Sequence, residues 1–480
     1  MQSPEAINRI IQKKYGRFGV NKSREILRLV YEISKRGGIT AVETLAGTES
    51  ADFDRLKAVL LRIRYPESRW KAEKKSFYLP KLEINASEKV KTGIKLKLYP
   101  RKVYIEYGSE NSPVAGRFKK LFPKAVFKII PSLKAALRDK EFTPLENTAD
   151  TSRRSETMLS EGGAAPPSVP SKRSLSLTGL TIRGYNKRSE NYFIVKEKYD
   201  FFKQCPCTKN AVCCGYNILN IGFGCPYECT YCFLQGYQNF PGIAFPSNLE
   251  EYFSGFTEEK AAKGMFGKPR IGTGEFTDSL VFDDITEFSP QIAEFFGKRP
   301  HLSFEFKTKS VNIGNLLKKP LPGNIVVSWS LNPQSIIERN EFYTASLEER
   351  LNAARAVADA GSCVGFHFDP VIYYPGWEKD YAGVVERLFD AVPGKYINWI
   401  SIGTLRMNPE TKKVIETRFP DNSILDGELL LDFDGKLRYI PEIRLRIYKK
   451  MMSWIKMRSN KPFVYLCMEE KDVWKEAGVI

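Results

Sequence analysis

The feature that most constrains the fold is an alternation of strand-like and helix-like segments between residues 215 and 405. The clearest helix, 347–360, begins after Ser346 with Glu349 three residues later, the pattern of a capping box, and ends at Gly361. Six apolar segments are strand candidates: 218–221, 270–272, 302–306, 325–330, 363–368 and 399–402. Repeated β–α units predict an α/β fold in which a parallel sheet curls into a partial (β/α)6 barrel.

Three cysteines follow the first of these strands. Cys225, Cys229 and Cys232 have the spacing Cys-x3-Cys-x2-Cys. Because active sites of such folds lie at the carboxyl ends of the strands, the cysteines are expected at that rim. Soft thiolates select iron–sulfur clusters, zinc or copper. Three thiolates can bind three irons of a [4Fe-4S] cubane and leave the fourth iron open to a small molecule.

Zinc is the main alternative to a cluster. A structural zinc ion normally takes four nitrogen or sulfur ligands, and the two histidines of the chain, His301 and His367, lie far from the motif in sequence. Four further cysteines just upstream could complete a zinc site, form a second metal site or pack in the core: Cys205, Cys207, Cys213 and Cys214. The spacing favours the cluster but leaves these alternatives open.

The net charge of the chain indicates its class of partner, and the pattern of its cysteines indicates its cellular compartment. The 480-residue chain has a formal net charge of +18, which makes nucleic acid the first partner to consider. Seven of its nine cysteines lie between residues 205 and 232, a pattern of free thiols in a reducing compartment rather than a disulfide framework. No signal-peptide pattern and no apolar run of about 18 residues is evident, so we expect a cytoplasmic protein without membrane contact.

The composition changes along the chain predict four regions. Residues 1–80 have helical periodicity, and residues 81–145 alternate short strands and a helix, as in a small α/β subdomain. Residues 146–176 are rich in Pro, Gly and Ser and are predicted to be a flexible linker. Residues 185–480 contain the barrel and a basic C-terminal extension.

The C-terminal extension is the preferred candidate for nucleic-acid contact. Basic side chains that neutralise phosphates alternate there with aromatic side chains that stack on bases. The basic residues are Arg438, Arg444, Arg446, Lys449, Lys450, Lys456 and Arg458, and the aromatic ones are Tyr439, Tyr448 and Trp454. The alternative is an amphipathic helix that packs Ile443, Ile447, Met451 and Ile455 inward.

Longer motifs resemble the spore photoproduct lyase family of the radical S-adenosylmethionine (radical SAM) superfamily. The matching segments are 224–235, 272–278, 306–309, 327–332, 365–370, 374–377 and 414–420. The resemblance covers about 100–145 and 185–470. It implies a radical SAM barrel, a [4Fe-4S] cluster and S-adenosylmethionine as cofactors, and a 5'-deoxyadenosyl radical that repairs a thymine-dimer-type lesion in DNA. It also implies an electron donor such as ferredoxin or flavodoxin.

The resemblance assigns roles to single residues. Cys225, Cys229 and Cys232 match the cluster ligands, and Tyr231 matches a tyrosine beside the cofactor. Four residues match cofactor contacts: Thr277, Asp278, Lys309 and Ser330. Thr277 and Asp278 are expected to hydrogen-bond the ribose or the methionine ammonium. Lys309 is expected to pair with the methionine carboxylate.

Two residues depart from the family pattern. Glu275 stands where the family has its hydrogen-donor cysteine, and Phe233 stands where it has a tyrosine thought to relay the radical. Either another group, such as an upstream cysteine, supplies the hydrogen, or the reaction differs. Glu275 is a candidate to bind the cofactor instead. The alternatives are a radical SAM enzyme acting on RNA or another substrate, and a non-catalytic metal-bearing nucleic-acid-binding module.

Overall fold

A computed structural model describes residues 2–16, 18–48, 52–66, 89–90, 98–136, 180, 182–196, 202–208, 210–258, 267–432 and 434–480. The predicted linker, 146–176, lies outside these residues. The strands are β1 Lys102–Glu106, β2 Val126–Ile130, β3 Asn191–Val195, β4 Phe202–Gln204, β5 Tyr216–Leu219, β6 Glu228–Cys229, β7 Ile243–Pro246, β8 Arg270–Gly272, β9 Ser303–Thr308, β10 Ile325–Ser330, β11 Glu341–Phe342, β12 Cys363–Val371, β13 Ile397–Thr404, β14 Arg406–Met407, β15 Leu429–Leu431, β16 Leu437–Tyr439 and β17 Phe463–Leu466.

The α-helices fall before, between and after these strands. They are α1 Pro4–Tyr15, α2 Val20–Gly37, α3 Ala41–Thr44, α4 Phe53–Arg64, α5 Pro113–Leu121, α6 Leu133–Ala136, α7 Ile182–Asn186, α8 Leu249–Ser254, α9 Asp283–Thr286, α10 Phe288–Gly297, α11 Gln334–Asn340, α12 Leu347–Asp359, α13 Trp377–Ala391, α14 Pro409–Arg418, α15 Pro441–Arg458 and α16 Lys471–Glu476. Among the residues that the structure describes, no helix is long and apolar enough to cross a membrane.

The main sheet has eight strands in the order β17-β13-β12-β10-β9-β8-β5-β4. All neighbours are parallel except β4, which pairs antiparallel with β5. Helices cover the sheet, which explains why β10 is buried along its whole length. The segments beside the two edge strands meet where Ala211 bridges Glu470, and the Val212 N–H donates to the Glu469 carbonyl at 2.8 Å. The sheet is therefore curled, and the predicted partial barrel is confirmed.

All six predicted strands are present, and the sequence missed the two edge strands. The prediction 325–330 coincides with β10, and 399–402 is the middle of the longer β13. The predicted capping box of α12 is also present, because the Ser346 Oγ accepts from the Glu349 N–H at 3.2 Å and the Glu349 carboxylate accepts from the Ser346 N–H at 2.7 Å. β4 and β17 are only three and four residues long, and β17 lies beyond the alternating segments at 215–405.

A buried carboxylate ties the strands together inside the barrel. Glu305 on β9 accepts from Arg270 on β8 at 2.6 Å and from Trp399 on β13 at 2.9 Å. His367 on β12 lies 2.7 Å from the same carboxylate. Burial lowers the pKa of His367 to about 4, so the neutral ring donates its N–H. His367 is thus a satisfied core histidine.

A second, four-stranded parallel sheet has the order β2-β1-β3-β7. Only β1 and β2 come from the predicted subdomain at 81–145. The other two strands follow residue 185, and β7 lies beyond the cysteine motif. The chain therefore passes between the two sheets three times, and the small sheet supports the cysteine loop from one side.

The N-terminal helices α1 to α4 enclose their own apolar cluster, which includes Ile11, Leu29 and Leu60. Arg64 at the end of α4 donates to the backbone carbonyls of Leu425, Asp426 and Gly427 at 3.0–3.3 Å. The helices of this region are thus docked on the C-terminal part of the barrel domain.

Candidate active site

The cysteine loop follows β5 at the carboxyl ends of the parallel strands. The Phe223 N–H donates to the Ala244 carbonyl at 3.0 Å, which joins the loop to β7. The Gly224 N–H donates to the Phe276 carbonyl at 2.8 Å, which joins it to the segment after β8. Gly224 has φ +95°, where a side chain would be strained. The loop is therefore held between the two sheets.

The three thiols of the loop are buried or nearly so, and burial raises the pKa of each. The pKa of Cys225 rises to about 12, with Asp278 as the next contributor. The Lys309 ammonium opposes this effect at Cys229 and Cys232. Thiolates in such surroundings need a compensating positive charge, which the irons of a cluster supply. Within the described part of the chain, no group of three or more His, Cys, Asp or Glu side chains is already arranged around a single-ion position.

Buried ion pairs fix the backbone of the loop. Arg188 donates to the carbonyls of Cys225 at 2.8 Å and Tyr227 at 2.7 Å, and to the Glu228 carboxylate at 2.7 Å. Arg418, on α14, donates to the other Glu228 oxygen at 2.5 Å. Arg188 is 1 % and Arg418 is 0 % exposed, so neither pair is screened by solvent.

Gln235 closes the other end of the loop. Its amide donates to the carbonyls of Thr230 at 2.8 Å and Cys232 at 3.1 Å, and its oxygen accepts from Arg418. The carbonyls beside the cysteines are thus satisfied by side-chain donors. The loop is held in place before any ligand binds.

Tyr231 lies in a polar network beneath the loop. Its hydroxyl donates to Glu341, which also accepts from Asn332 at 2.8 Å and Arg350 at 2.6 Å. Burial opposes ionisation of Glu341, but Arg350 and Lys309 lower its pKa to about 2. Burial and then Glu341 raise the pKa of Tyr231, so the phenol stays protonated.

Lys309 follows β9 and faces this network. Its ammonium lies 5.8 Å from the centre of the Tyr231 ring. Burial alone would lower the pKa of Lys309, but Glu341 and Cys229 outweigh it and the pKa is raised. Lys309 is therefore a partly buried cation between the carboxylate of Glu341 and the thiols of the loop, a suitable place to bind an anionic group.

Asp278 already has partners within the protein. One carboxylate oxygen accepts from the Leu280 and Val281 N–H groups at 3.0 Å and from Thr308 at 2.6 Å. The other accepts from the Lys309 N–H at 2.7 Å. The carboxylate therefore connects the loop after β8 to the end of β9.

Thr277 and Ser330 lie at the same rim. The Thr277 hydroxyl has only a long contact, 3.5 Å, to the Asp278 carbonyl. Ser330 ends β10 in register with His367, and its carbonyl accepts from Arg350 at 2.8 Å. Both residues are thus connected to the elements that hold Lys309 and Tyr231.

The two departures from the family pattern have defined surroundings. Glu275 follows β8 and pairs with Lys203 on β4 at 2.8 Å. Burial raises the pKa of Glu275, and Lys203 opposes the shift. Phe233 is 43 % exposed and packs edge-on against Tyr237, with ring centres 5.7 Å apart.

Part of the basic C-terminal extension is buried in the structure. Arg438 and Arg444 are buried and pair with Asp434 and Asp432, both at 2.5 Å. The predicted aromatic stackers Tyr439 and Tyr448 are also buried, at 1 % and 0 % exposure. Arg446 and Lys450 pair with Glu378, and Arg458 pairs with Asp390. The amphipathic packing is confirmed, because Ile443, Ile447, Met451 and Ile455 are buried. Five of the basic residues are still exposed: Arg446, Lys449, Lys450, Lys456 and Arg458.

Sequence reasoning missed the charged residues that support the site. Arg188, Glu228, Glu341, Arg350 and Arg418 are all less than 9 % exposed, yet charged residues ordinarily indicate surface. In the sequence, the one indication that these charged residues support the site is that Glu228 lies inside the cysteine motif. Its partners are distant in sequence, and only the folded chain brings them together.

Residues 205–429 match the profile of the spore photoproduct lyase family. The spore photoproduct lyase of Clostridium acetobutylicum is 27 % identical over 215 residues, which are 44 % of this chain and 62 % of that protein. The spore photoproduct lyase of Bacillus subtilis (strain 168) is 29 % identical over 212 residues, 43 % of this chain and 61 % of that protein. The central part of the chain is thus similar to the spore photoproduct lyases. The match spans about three fifths of the length of these relatives.

The structure leads to the same relatives. A spore photoproduct lyase mutant with bound AdoMet and dinucleoside spore photoproduct has a TM-score of 0.57 and 21 % identity, over 77 % of this chain and 100 % of that chain. A spore photoproduct lyase complexed with dinucleoside spore photoproduct also has a TM-score of 0.57. At this identity the likeness establishes a shared fold.

Proposed function

We propose that this chain is a radical SAM enzyme that repairs a thymine-dimer-type lesion in DNA. The observation that supports the proposal most is the cysteine loop, whose three thiols lie at the barrel rim on a backbone fixed by Arg188 and Gln235. Lys309 beside two of the thiols supports it further. A [4Fe-4S] cluster on Cys225, Cys229 and Cys232 would supply one electron to cleave S-adenosylmethionine and form the 5'-deoxyadenosyl radical.

The surrounding residues are proposed to bind and orient S-adenosylmethionine. Lys309 pairs with its carboxylate, because the ammonium is partly buried and its pKa is raised by Glu341 and Cys229. Thr277 and Ser330 contribute hydroxyl groups. Asp278 holds the Lys309 backbone in position, which is a less direct role than the sequence suggested. Tyr231 stays a neutral phenol and keeps the Glu341 carboxylate oriented towards Lys309.

Glu275, which pairs with Lys203 at 2.8 Å, is proposed to bind the cofactor. A carboxylate cannot return a hydrogen atom as a thiol can, so the last step of the reaction needs another donor. This observation favours one alternative: a radical SAM reaction on RNA or another substrate, whose product forms without a thiol at position 275. The non-catalytic metal-bearing module remains the alternative from a different class.

Partners and location follow from the same proposal. Nucleic acid is the proposed macromolecular substrate, and a ferredoxin or flavodoxin is the proposed electron donor. The free thiols support a reducing, cytoplasmic location. We propose the same division of the chain, with a helical region 1–80, a small α/β subdomain 81–145, a linker 146–176 and the barrel domain 185–480.

An anaerobic assay tests the proposal. The purified protein is reconstituted with iron and sulfide, reduced, and incubated with S-adenosylmethionine and a dinucleoside spore photoproduct. We expect cluster absorbance, 5'-deoxyadenosine and restored thymine, with hydrogen transfer into the adenosyl product. Cys225→Ala should lose all three signals. Cys363→Ala, a change of the same type on β12, should retain them.

The possible failures are distinguishable. Cluster and 5'-deoxyadenosine without restored thymine would favour the alternative substrate, which an RNA or DNA panel then tests. A protein that binds only zinc and leaves S-adenosylmethionine intact would contradict the enzymatic proposal as a whole.

A further inference from the structure

Helix α14 is in contact with both the N-terminal helices and the cysteine loop. Residues 205–429, which match the family profile, include α14 but neither α2 nor α4. α14 is only ten residues long, and a helix of that length depends for its stability on packing against other parts of the protein. The contacts that other elements make with α14 therefore decide where it lies.

One face of α14 contacts the N-terminal helices through buried charge. Lys412 on α14 donates to Glu32 on α2 at 3.4 Å, and to Glu416 one turn further along α14 at 2.7 Å. The same Glu32 carboxylate accepts from Arg28 at 2.6 Å and from Arg64 at 3.1 Å. The three cations are each no more than 6 % exposed, so solvent and salt screen these pairs little.

The charges in this group compensate one another. Burial opposes ionisation of Glu32, but Lys412, Arg28 and Arg64 hold its pKa well below its usual range. Burial lowers the pKa of Lys412 to about 8 and Glu32 opposes the shift, so the ammonium is charged at neutral pH. Loss of the Glu32 carboxylate would remove a partner from three buried cations at once.

The adjoining face of α14 contacts the end of the cysteine loop. Arg418, the last residue of α14, donates to the Glu228 carboxylate at 2.5 Å and to the side-chain oxygen of Gln235. At Gly236 the backbone of the loop comes so close to α14 that a Cβ atom there would clash with the Thr411 hydroxyl. A displacement of α14 would therefore move the donor that Glu228 and Gln235 share.

We propose that Glu32 and Lys412 are positioning residues for the cysteine loop, because their ion pair holds α14 in the place from which Arg418 binds the loop. The N-terminal helices then support the candidate site from outside the part of the chain that matches the family. The inference rests on the proposed function only in taking the cysteine loop as the cofactor site, and the order of the loop is measurable without a cofactor.

The test is amide hydrogen exchange, followed by mass spectrometry, in the full-length protein before iron is added. The loop contains protected amides: the Thr230 N–H, for example, donates to the Asn340 carbonyl at 2.8 Å. In Glu32→Gln we expect peptides from 224–238 to exchange about tenfold faster, which is the size of coupling typical within one charged network. Strand β10 serves as an internal reference, and its exchange should change less than that of the loop.

Glu25→Gln is the matched control, because Glu25 lies on the same helix and pairs with Lys57 on α4 at 2.9 Å. This change should leave exchange in the loop as it is in the native protein. Lys412→Met should act as Glu32→Gln does. Lys412→Arg, which keeps the cation, should stay near the native exchange rates.

A measurement on the native protein needs no variant. As urea is added at low concentration, α14 and the loop should begin to exchange together, and before β10. Three results would overturn the proposal: a loop that exchanges independently of α14, equal loop exchange in Glu32→Gln and Glu25→Gln, or a rise in β10 as large as in the loop. A native protein that assembles no cluster would contradict the proposed function instead and would leave the exchange result unaffected.

Discussion

Replacement of Glu228 by glutamine tests whether buried charge holds the cysteine loop. In the native protein its two oxygens accept from Arg188 at 2.7 Å and Arg418 at 2.5 Å. Glutamine retains one acceptor but places an amide NH2 group against the other guanidinium. Removal of one partner from a buried ion pair costs about 3–5 kcal/mol, so we expect Glu228→Gln to lower the free energy of unfolding of the barrel domain by about that amount.

The assay is urea denaturation followed by tryptophan fluorescence, together with iron content after reconstitution. The matched control is Glu348→Gln, whose carboxylate is 61 % exposed and pairs with Arg387. An exposed pair contributes about 0–1 kcal/mol, so this variant should behave as the native protein. A Glu228→Gln protein that loses less than the control and still binds iron fully would refute the reasoning.

The same pair predicts a pH dependence. Burial opposes ionisation of Glu228, but Arg188 and Arg418 outweigh it and its folded-state pKa is below the ordinary value of 4.5. Its contribution to stability is therefore fully present above about pH 4.5 and is lost as the pH falls through the folded-state pKa. The stability difference between native and Glu228→Gln proteins should shrink on acidification and stay constant between pH 6 and 8.

Three further changes test other parts of the structure. Gly272→Ala would place a methyl group against the Tyr216 side chain and the Glu305 carbonyl, and it should lower the free energy of unfolding, measured by urea denaturation, by about 1–3 kcal/mol. The control is Gly383→Ala on the open face of α13, which should be neutral or stabilise by about 0.5–1 kcal/mol. Arg64→Ala removes the donor to the carbonyls of Leu425, Asp426 and Gly427 and should speed amide hydrogen exchange in the N-terminal helices. The exposed Arg62→Ala should leave the exchange rates unchanged, and equal exchange rates in the two variants would contradict the docking. Lys309→Met should weaken S-adenosylmethionine binding about ten- to a hundredfold in equilibrium dialysis with little change in iron content, and unchanged affinity would remove Lys309 from the cofactor site.

The barrel was predictable because its strands are apolar in sequence. Each predicted strand lies in a layer covered by helices, so the hydrophobic pattern alone marks it. The strands β4 and β17 were missed because they are short, and because pairing at the sheet edges depends on contacts from distant parts of the chain. The small sheet was predicted only in part, since β3 and β7 reach it from beyond residue 185.

The sequence predicts the part of the candidate site that depends only on the spacing of residues along the chain. The cysteine motif is local, and its position after β5 follows from the chain. The role of Asp278 was not predictable, because a carboxylate after a strand looks the same whether it binds a ligand or a backbone. Only the structure shows that its oxygens accept from Thr308 and the Lys309 N–H.

The buried charges explain why the site tolerates departures at positions 233 and 275. Buried ion pairs contribute little net stability, because desolvation consumes most of the Coulomb attraction. Their effect here is on position: Arg188 binds two loop carbonyls, and Arg350 fixes the carboxylate that faces Lys309. Neither network includes Phe233 or Glu275. The cysteine loop and Lys309 are thus positioned independently of residues 233 and 275, so these two positions can change while the loop and Lys309 stay in place.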